Sequence, residues 1–259
     1  MSFLELTASR IHYRWDGPAD KPVLLLSHSL GATLSLWDPQ VPDFSEHFPV
    51  LRYDARGHGQ SSIPPGPYTV EQLGGDALAL LDGLGIEGVS FCGLSMGGAV
   101  GQWLGIHAPQ RLEKLVLCNT AAKIGNAETW NSRIDTVLSE GVAGIVPVQL
   151  ARWFTPVFQE NEPEAIARAR GLLESADPAG YAANCAALRD MDQREAIRNI
   201  TVPTLLVAGT YDPVTPPSDL KYLAANIPGA QYVELPASHL SSVEASEQFN
   251  QAVLQFLIE

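Results

Sequence analysis

Gly93-Leu94-Ser95-Met96-Gly97 decides how this chain is read. Just before it, Val89-Ser90-Phe91-Cys92 has the make-up of a short β-strand. Just after it, Gly98 to His107 reads as a helix with small residues near its start. A serine on such a strand-to-helix turn is held in a strained conformation that lifts its hydroxyl above the sheet. A β-carbon at Gly93 or Gly97 would collide with the tightly crossing backbone. The same turn aims the amide of Met96 at whatever the serine attacks. Five residues of this kind also fit an ordinary glycine-rich βα turn, so the rest of the chain has to decide.

Working outward, apolar runs recur at Val23–Leu26, Val50–Tyr53, Val89–Cys92, Leu115–Cys118, Thr204–Ala208 and Tyr232–Leu235, with an alternating strand at Ile11–Trp15. Short unalternating runs fit strands covered on both faces, as in a parallel sheet. Helical patterns at Val70–Leu84, Gly98–His107, Pro217–Ile227 and Val243–Leu257 lie between or after them. Strand and helix in alternation predict an α/β fold, a mostly parallel sheet flanked by helices with right-handed crossovers. From about Ile124 to Asn199 the rhythm stops and only helical spacing remains: Trp130, Ile134, Val137 and Leu138, then a helix opening at Pro163, then Ala179–Leu188. We expect residues 124–199 to form an inserted helical cap over the strand ends, with 1–123 and 200–259 as the core. The alternative is a further helical layer on a sheet face.

A serine nucleophile needs a base to take its proton and a carboxylate to orient that base. His239 follows the last strand by a short loop, Pro236-Ala237-Ser238, at the strand end where reactive loops gather. Asp212 follows the preceding strand in Gly209-Thr210-Tyr211-Asp212-Pro213-Val214. The order Ser95, Asp212, His239 is that of nucleophile, acid and base in one recurrent hydrolytic arrangement. An acid after Leu115–Cys118 is disfavoured because Asn119 stands there, and a neutral amide is a poor partner for imidazolium. Ser27-His28-Ser29-Leu30-Gly31 supplies a second loop, and the amides of Leu30 and Met96 are the expected oxyanion donors. His28 is read as a brace for that loop, and His58 as part of a turn stabilised by Asp54 and Arg56. His12, His47 and His107 sit in surface-like contexts. No histidine pair has ligand spacing with a third donor nearby, so neither a metal nor a cofactor is expected.

Composition narrows the classes further. At 259 residues, 46% hydrophobic and 17% charged, the chain can bury a full core. A formal charge of −13 argues against nucleic-acid binding, which needs a basic surface. It leaves room for an anionic substrate, because a few local cations in a pocket outweigh a screened net charge. The first residues lack a signal-peptide pattern, and no apolar run reaches the ~18 residues of a membrane span. Cys92, Cys118 and Cys185 are read as buried reduced thiols, and a cytoplasmic protein is expected. Oligomeric state is open.

With these residues in place, the chain resembles the α/β-hydrolase superfamily over nearly its whole length. Within it, Trp130-Asn131-Ser132-Arg133-Ile134, Arg152-Trp153-Phe154 and Gly180 to Asp192 resemble the 3-oxoadipate enol-lactonase family. One departure is Ser29, where the loop motif usually carries glycine. The resemblance implies cofactor-free opening of a small anionic lactone by Ser95, Asp212 and His239. Two rival classes stay open. One is an aryl esterase or haloperoxidase-like hydrolase of the same fold, and the other is a receptor-like binding protein that retains the triad with little turnover. Arg133 carries the expectation of an acidic substrate. On a helix starting near Thr129, Trp130, Arg133, Ile134 and Val137 share one face. An arginine in an apolar stripe calls for an anion, unless it reaches solvent or pairs with Glu128 or Asp135. Trp130 and Trp153 are expected to wall the same pocket, with Arg189 the next candidate for the substrate carboxylate.

Overall fold

The computed structural model describes residues 2–7, 9–18 and 22–259. Eight strands make one sheet: β1 Ser2–Glu5, β2 Arg10–Asp16, β3 Val23–Ser27, β4 Val50–Tyr53, β5 Val89–Leu94, β6 Leu112–Cys118, β7 Thr204–Gly209 and β8 Gln231–Leu235. Their order is β1-β2-β4-β3-β5-β6-β7-β8, with β1 and β2 antiparallel to their neighbours and the other six strands parallel. Every residue of β5 and β7 is buried, which is why these strands read as unbroken apolar runs. β1 has no such signal. It is four residues long and mostly exposed, so pairing with β2 rather than apolar patterning makes it a strand.

The helices behave as their ends dictate. Val70–Gly83 starts at a reciprocal cap, in which the Thr69 hydroxyl accepts from the Gln72 amide at 3.1 Å and the Gln72 side chain accepts from the Thr69 amide at 3.0 Å. The helix after the serine begins at Met96 rather than Gly98, because the turn itself serves as its first cap. The expected final helix is two helices, Ser241–Glu244 and Ser246–Ile258, broken at Ala245. The short first piece is tethered: Glu244 accepts from the amides of Ser238 at 2.8 Å and Thr155 at 3.2 Å, which holds it at its own angle.

Between β6 and β7 the described residues hold helices and no strand: Ala127–Glu140, Val146–Trp153, Pro156–Asn161, Pro163–Glu174 and Pro178–Asp190. The second and third, eight and six residues long, are too short for helical periodicity to reveal. Pro178–Asp190 is pressed onto the turn after β4. Asn184 Nδ2 donates to the carbonyl of Arg56 at 2.9 Å, and Gly180 lies flat against Gly57.

That contact is testable. A β-carbon at Gly180 would lie 2.4 Å from the Gly57 carbonyl oxygen, which is backbone and has little room to yield. Gly180→Ala should lower stability by about 1–3 kcal/mol, the usual cost of overpacking. Thermal denaturation reads this as a lowered Tm. A variant melting together with the parent would show that the two segments separate freely.

Candidate active site

Ser95 sits at the N-terminus of the helix Met96–His107 with φ +57° and ψ −109°, a region L-residues rarely occupy. Holding a residue there costs about 1–3 kcal/mol and requires the surroundings to fix it. They do so by close crossing. A β-carbon at Gly93 would lie 2.2 Å from the Gly97 carbonyl oxygen, and one at Gly97 would lie 2.1 Å from that of Ser27. The Ser95 amide donates to the Cys118 carbonyl at 2.9 Å, and Thr120 Oγ1 donates to the Ser95 carbonyl at 2.9 Å. The turn is therefore pinned to the end of β6 and the residues just after it.

The loops after β7 and β8 bring two further groups to that serine. His239 Nε2 lies 3.0 Å from Ser95 Oγ, and Nδ1 lies 2.8 Å from Asp212 Oδ2. A carboxylate only accepts, so Nδ1–H donates to Asp212 and Nε2 is left to accept the serine proton. All three side chains are buried, at 5% exposure or less. Asp212 is held by donors on both oxygens. Oδ1 accepts from the amides of Val214 at 2.7 Å and Thr215 at 3.1 Å, while Oδ2 also accepts from Thr215 Oγ1 at 2.8 Å and Asn119 Nδ2 at 3.0 Å. Burial pushes this carboxyl upward, but the facing imidazole and these hydrogen bonds outweigh it and hold it below the usual carboxylate value. It stays ionised, which is the state in which it can stabilise an imidazolium.

The loop after β3 and the start of the helix after Ser95 meet the same region. Met96 is the first residue of its helix, where amides have no intrahelical acceptor and the helix dipole favours negative charge. On the other loop, the Gly31 amide donates to His58 Nε2 at 3.0 Å and the Ala32 amide to the Ser29 carbonyl at 3.1 Å. Among the described residues the Leu30 amide between them has no such acceptor, so it is available to a ligand. Ser29 needs no glycine: Ser95 and Asn119 are the residues other than glycine with positive φ among those described. His28 braces this loop, with Nδ1–H donating to the Ser29 carbonyl at 2.7 Å and Nε2 accepting from the Ala55 amide at 3.0 Å.

Several expected positions turn out differently. His12 is buried and bonded through Nδ1 to Asp54 at 2.8 Å, because β1 and the turn after β4 cover it; it is no surface residue. Asp54 does stabilise the turn, accepting from the Gln60 amide at 2.9 Å. The Arg56 side chain instead leaves it for a bidentate pair with Asp76. Arg189 is occupied by both oxygens of Asp190, at 2.7 and 2.8 Å, and by Asn131 at 2.9 Å, so it offers no unpaired charge. Arg133 does: its guanidinium lies over the Trp130 ring, 4.7 Å from the centroid, and among the described residues no carboxylate lies within ion-pair distance, neither Glu128 nor Asp135. Trp130 is fixed by its indole N–H donating to the Ile124 carbonyl at 2.7 Å. Trp153 lines a cavity of about 350 Å³ with Ala32, Leu36, Leu240 and Val243, and Trp130 is not part of that wall.

Sequence reasoning passed over Asn119 and Thr215. Thr215 was recoverable, since Asp-Pro-x-Thr is a turn in which the aspartate takes amides two and three residues on. Asn119 was read only as a missing acid. Its φ of +43°, which asparagine tolerates better than most residues, turns its amide toward Asp212.

A family model for the alpha/beta hydrolase fold matches residues 22–246. The chain belongs to this α/β-hydrolase family. It is 44% identical to 3-oxoadipate enol-lactonase 2 of Acinetobacter baylyi over 94% of this chain and 91% of that protein. The solved enol-lactonase of Burkholderia xenovorans LB400 superposes with a TM-score of 0.98 at 45% identity, covering 100% of both chains. A hydrolase of Pseudomonas aeruginosa PA01 does so at 0.96 and 49%, covering 99% of this chain and 97% of that one.

Two buried histidines set a pH dependence of stability. Burial foremost lowers His28, whereas burial together with the charge of His28 takes His58 down to about 3, both from an ordinary 6.5. In the unfolded chain both take a proton near 6.5, so below that pH the unfolded state binds more protons. Their contribution is fully present above about pH 7 and is lost as pH falls through and below 6.5, down toward the lowered values of the folded state. Urea denaturation at pH 7.5 and 5.5 should show this loss, and His58→Gln should reduce it. A flat profile in the parent would mean that both rings take a proton within the fold.

Proposed function

We propose that this chain is a serine hydrolase that opens the ring of 3-oxoadipate enol-lactone to give 3-oxoadipate in aromatic catabolism, as its relatives' names suggest for them. One observation carries the reading: the bonded series Asp212–His239–Ser95 lies close to a helical layer that holds an arginine without a carboxylate partner. We read residues 124–199 as a cap that selects the substrate, and the protein as cytoplasmic.

In this reading His239 Nε2 takes the Ser95 proton as Oγ attacks the lactone carbonyl, and Asp212 stabilises the imidazolium that forms. The carbonyl oxygen, now negative, is held by the amides of Leu30 and Met96; such donors are worth roughly 3–4 kcal/mol each. The ester C–O bond then breaks toward an enolate, which leaves with little help from an acid. The broken ring remains tethered to the acyl-enzyme and could reclose. Transfer of the proton held by His239 to the enolate carbon gives the ketone, removes the competing nucleophile and returns His239 to its neutral form, in which it takes a proton from the water that releases the second carboxylate. Arg133 holds the carboxylate that the lactone already carries, with Trp130 backing the guanidinium.

Purified protein should hydrolyse the enol-lactone far faster than p-nitrophenyl acetate, and lack of lactone turnover would discard the proposed substrate. Ser95→Ala should abolish both activities with the fold retained, since alanine fits the same turn; activity within about tenfold of the parent would remove Ser95 from the nucleophile role. Arg133→Met should raise KM for the anionic lactone by about tenfold, because a hydrogen bond to a charged group is worth roughly 1.5–3 kcal/mol. The neutral ester should be turned over as before. Equal losses on both substrates would make Arg133 structural.

A further inference from the structure

The hydroxyl of Tyr181 is wholly buried and its proton has no acceptor; the group that acts on it as a hydrogen-bond partner is the Arg133 guanidinium, which can only donate. A buried, unsatisfied hydroxyl costs about 1–3 kcal/mol, and such an orphan in a folded protein calls for an absent partner. Its surroundings say what that partner is. Tyr181 stands on the helix Pro178–Asp190, which packs on the helix Ala127–Glu140 that carries Arg133. Arg133 and Arg152 both lie within electrostatic reach of the Tyr181 hydroxyl. Burial and then the positive charge of Arg133 lower Arg152, so the two guanidinium groups repel. Among the described residues neither is in an ion pair. Two like charges left together without a counter-ion, beside a hydroxyl left without an acceptor, are the donor set of an anion.

The other face of the same ring is fixed against the reaction centre. A β-carbon at Gly31 would lie 2.9 Å from Tyr181 Cε2, so the ring edge abuts the residue that follows Leu30. The backbone of Arg152 is fixed as well. Its carbonyl accepts from Ser238 Oγ at 2.8 Å, and the carbonyl of Trp153 accepts from the Leu240 amide at 3.0 Å, so the pair is bonded to the residues on either side of His239.

We infer that Tyr181 and Arg152 complete, with Arg133, an anion subsite that takes the substrate's carboxylate and sets its distance from the bond being cleaved. This deepens the proposed lactonase reading and rests on it for the identity of the substrate. The Tyr181 ring acts as the spacer: one edge touches the oxyanion loop and the hydroxyl meets the carboxylate. Product should be gripped at both ends, the old carboxylate by this subsite and the new one between Leu30, Met96 and His239.

The test uses dicarboxylates as competitive inhibitors of p-nitrophenyl acetate hydrolysis by the full chain: malonate, succinate, glutarate and adipate. One chain length should inhibit best. For that inhibitor, Tyr181→Phe and Arg152→Gln should each raise Ki by about tenfold, the worth of one charge-assisted hydrogen bond. Their kcat and KM for the neutral ester should stay within about twofold, which a merely structural role would not spare. Tyr181→Phe keeps the ring against Gly31, and Arg152 is exposed, so at least one variant folds. An inhibition series flat with chain length overturns the spacer, and unchanged Ki in both variants leaves Arg133 acting alone and overturns the subsite. Since no lactone enters this assay, these failures are separate from failure of the parent to open the lactone.

Discussion

Three backbone segments meet at Ser95 with no room for a side chain between them: the end of β5, the start of the following helix and the Ser27 carbonyl at the end of β3. This crossing lets a non-glycine residue persist at φ +57°. It also orders everything around it. With the turn fixed, the Met96 amide and the loop after β3 converge on one point above the sheet, and the loops after β7 and β8 supply their groups to the same point. The strain at one residue is held by contacts spread over three strands, which is how a fold of ordinary stability can carry it.

Around that point the polar groups are paired almost to completion. Asp212 receives five hydrogen bonds, counting His239, from residues on three different loops. His28 and His58, also buried, are neutral braces that set the geometry of the loop carrying Leu30. The exceptions stand out against this background. Among the described residues, Arg133 and Arg152 without a carboxylate and the Tyr181 hydroxyl without an acceptor gather on the helical side, where the side-chain oxygen of Asn184 is also left unpaired.

Much of this was legible in the sequence, and the reasons are physical. Buried parallel strands must be apolar on both faces, so β3 to β7 were visible as runs. The Ser95 turn was visible because its glycines serve a crossing that no other residue fits. Asp212 and His239 were visible because they follow strand ends in the expected order. What escaped depends on pairing across long sequence distances. β1 is a strand only because β2 is beside it, and His12 is buried only because β1 and the turn after β4 close over it. Arg189 looked free until Asn131 and its own neighbour Asp190 were seen to hold it. Pairings of that kind leave no trace in local composition.

The two hydrogen bonds that tie Arg152 and Trp153 to Ser238 and Leu240 also make the histidine loop and the helical layer one mechanical unit. The residues on both flanks of His239 are anchored to consecutive residues of one helix, so the imidazole takes its position from the layer above it as well as from the sheet below. A change in Val146–Trp153 would therefore reach the line from Asp212 to Ser95 without touching any of its three members.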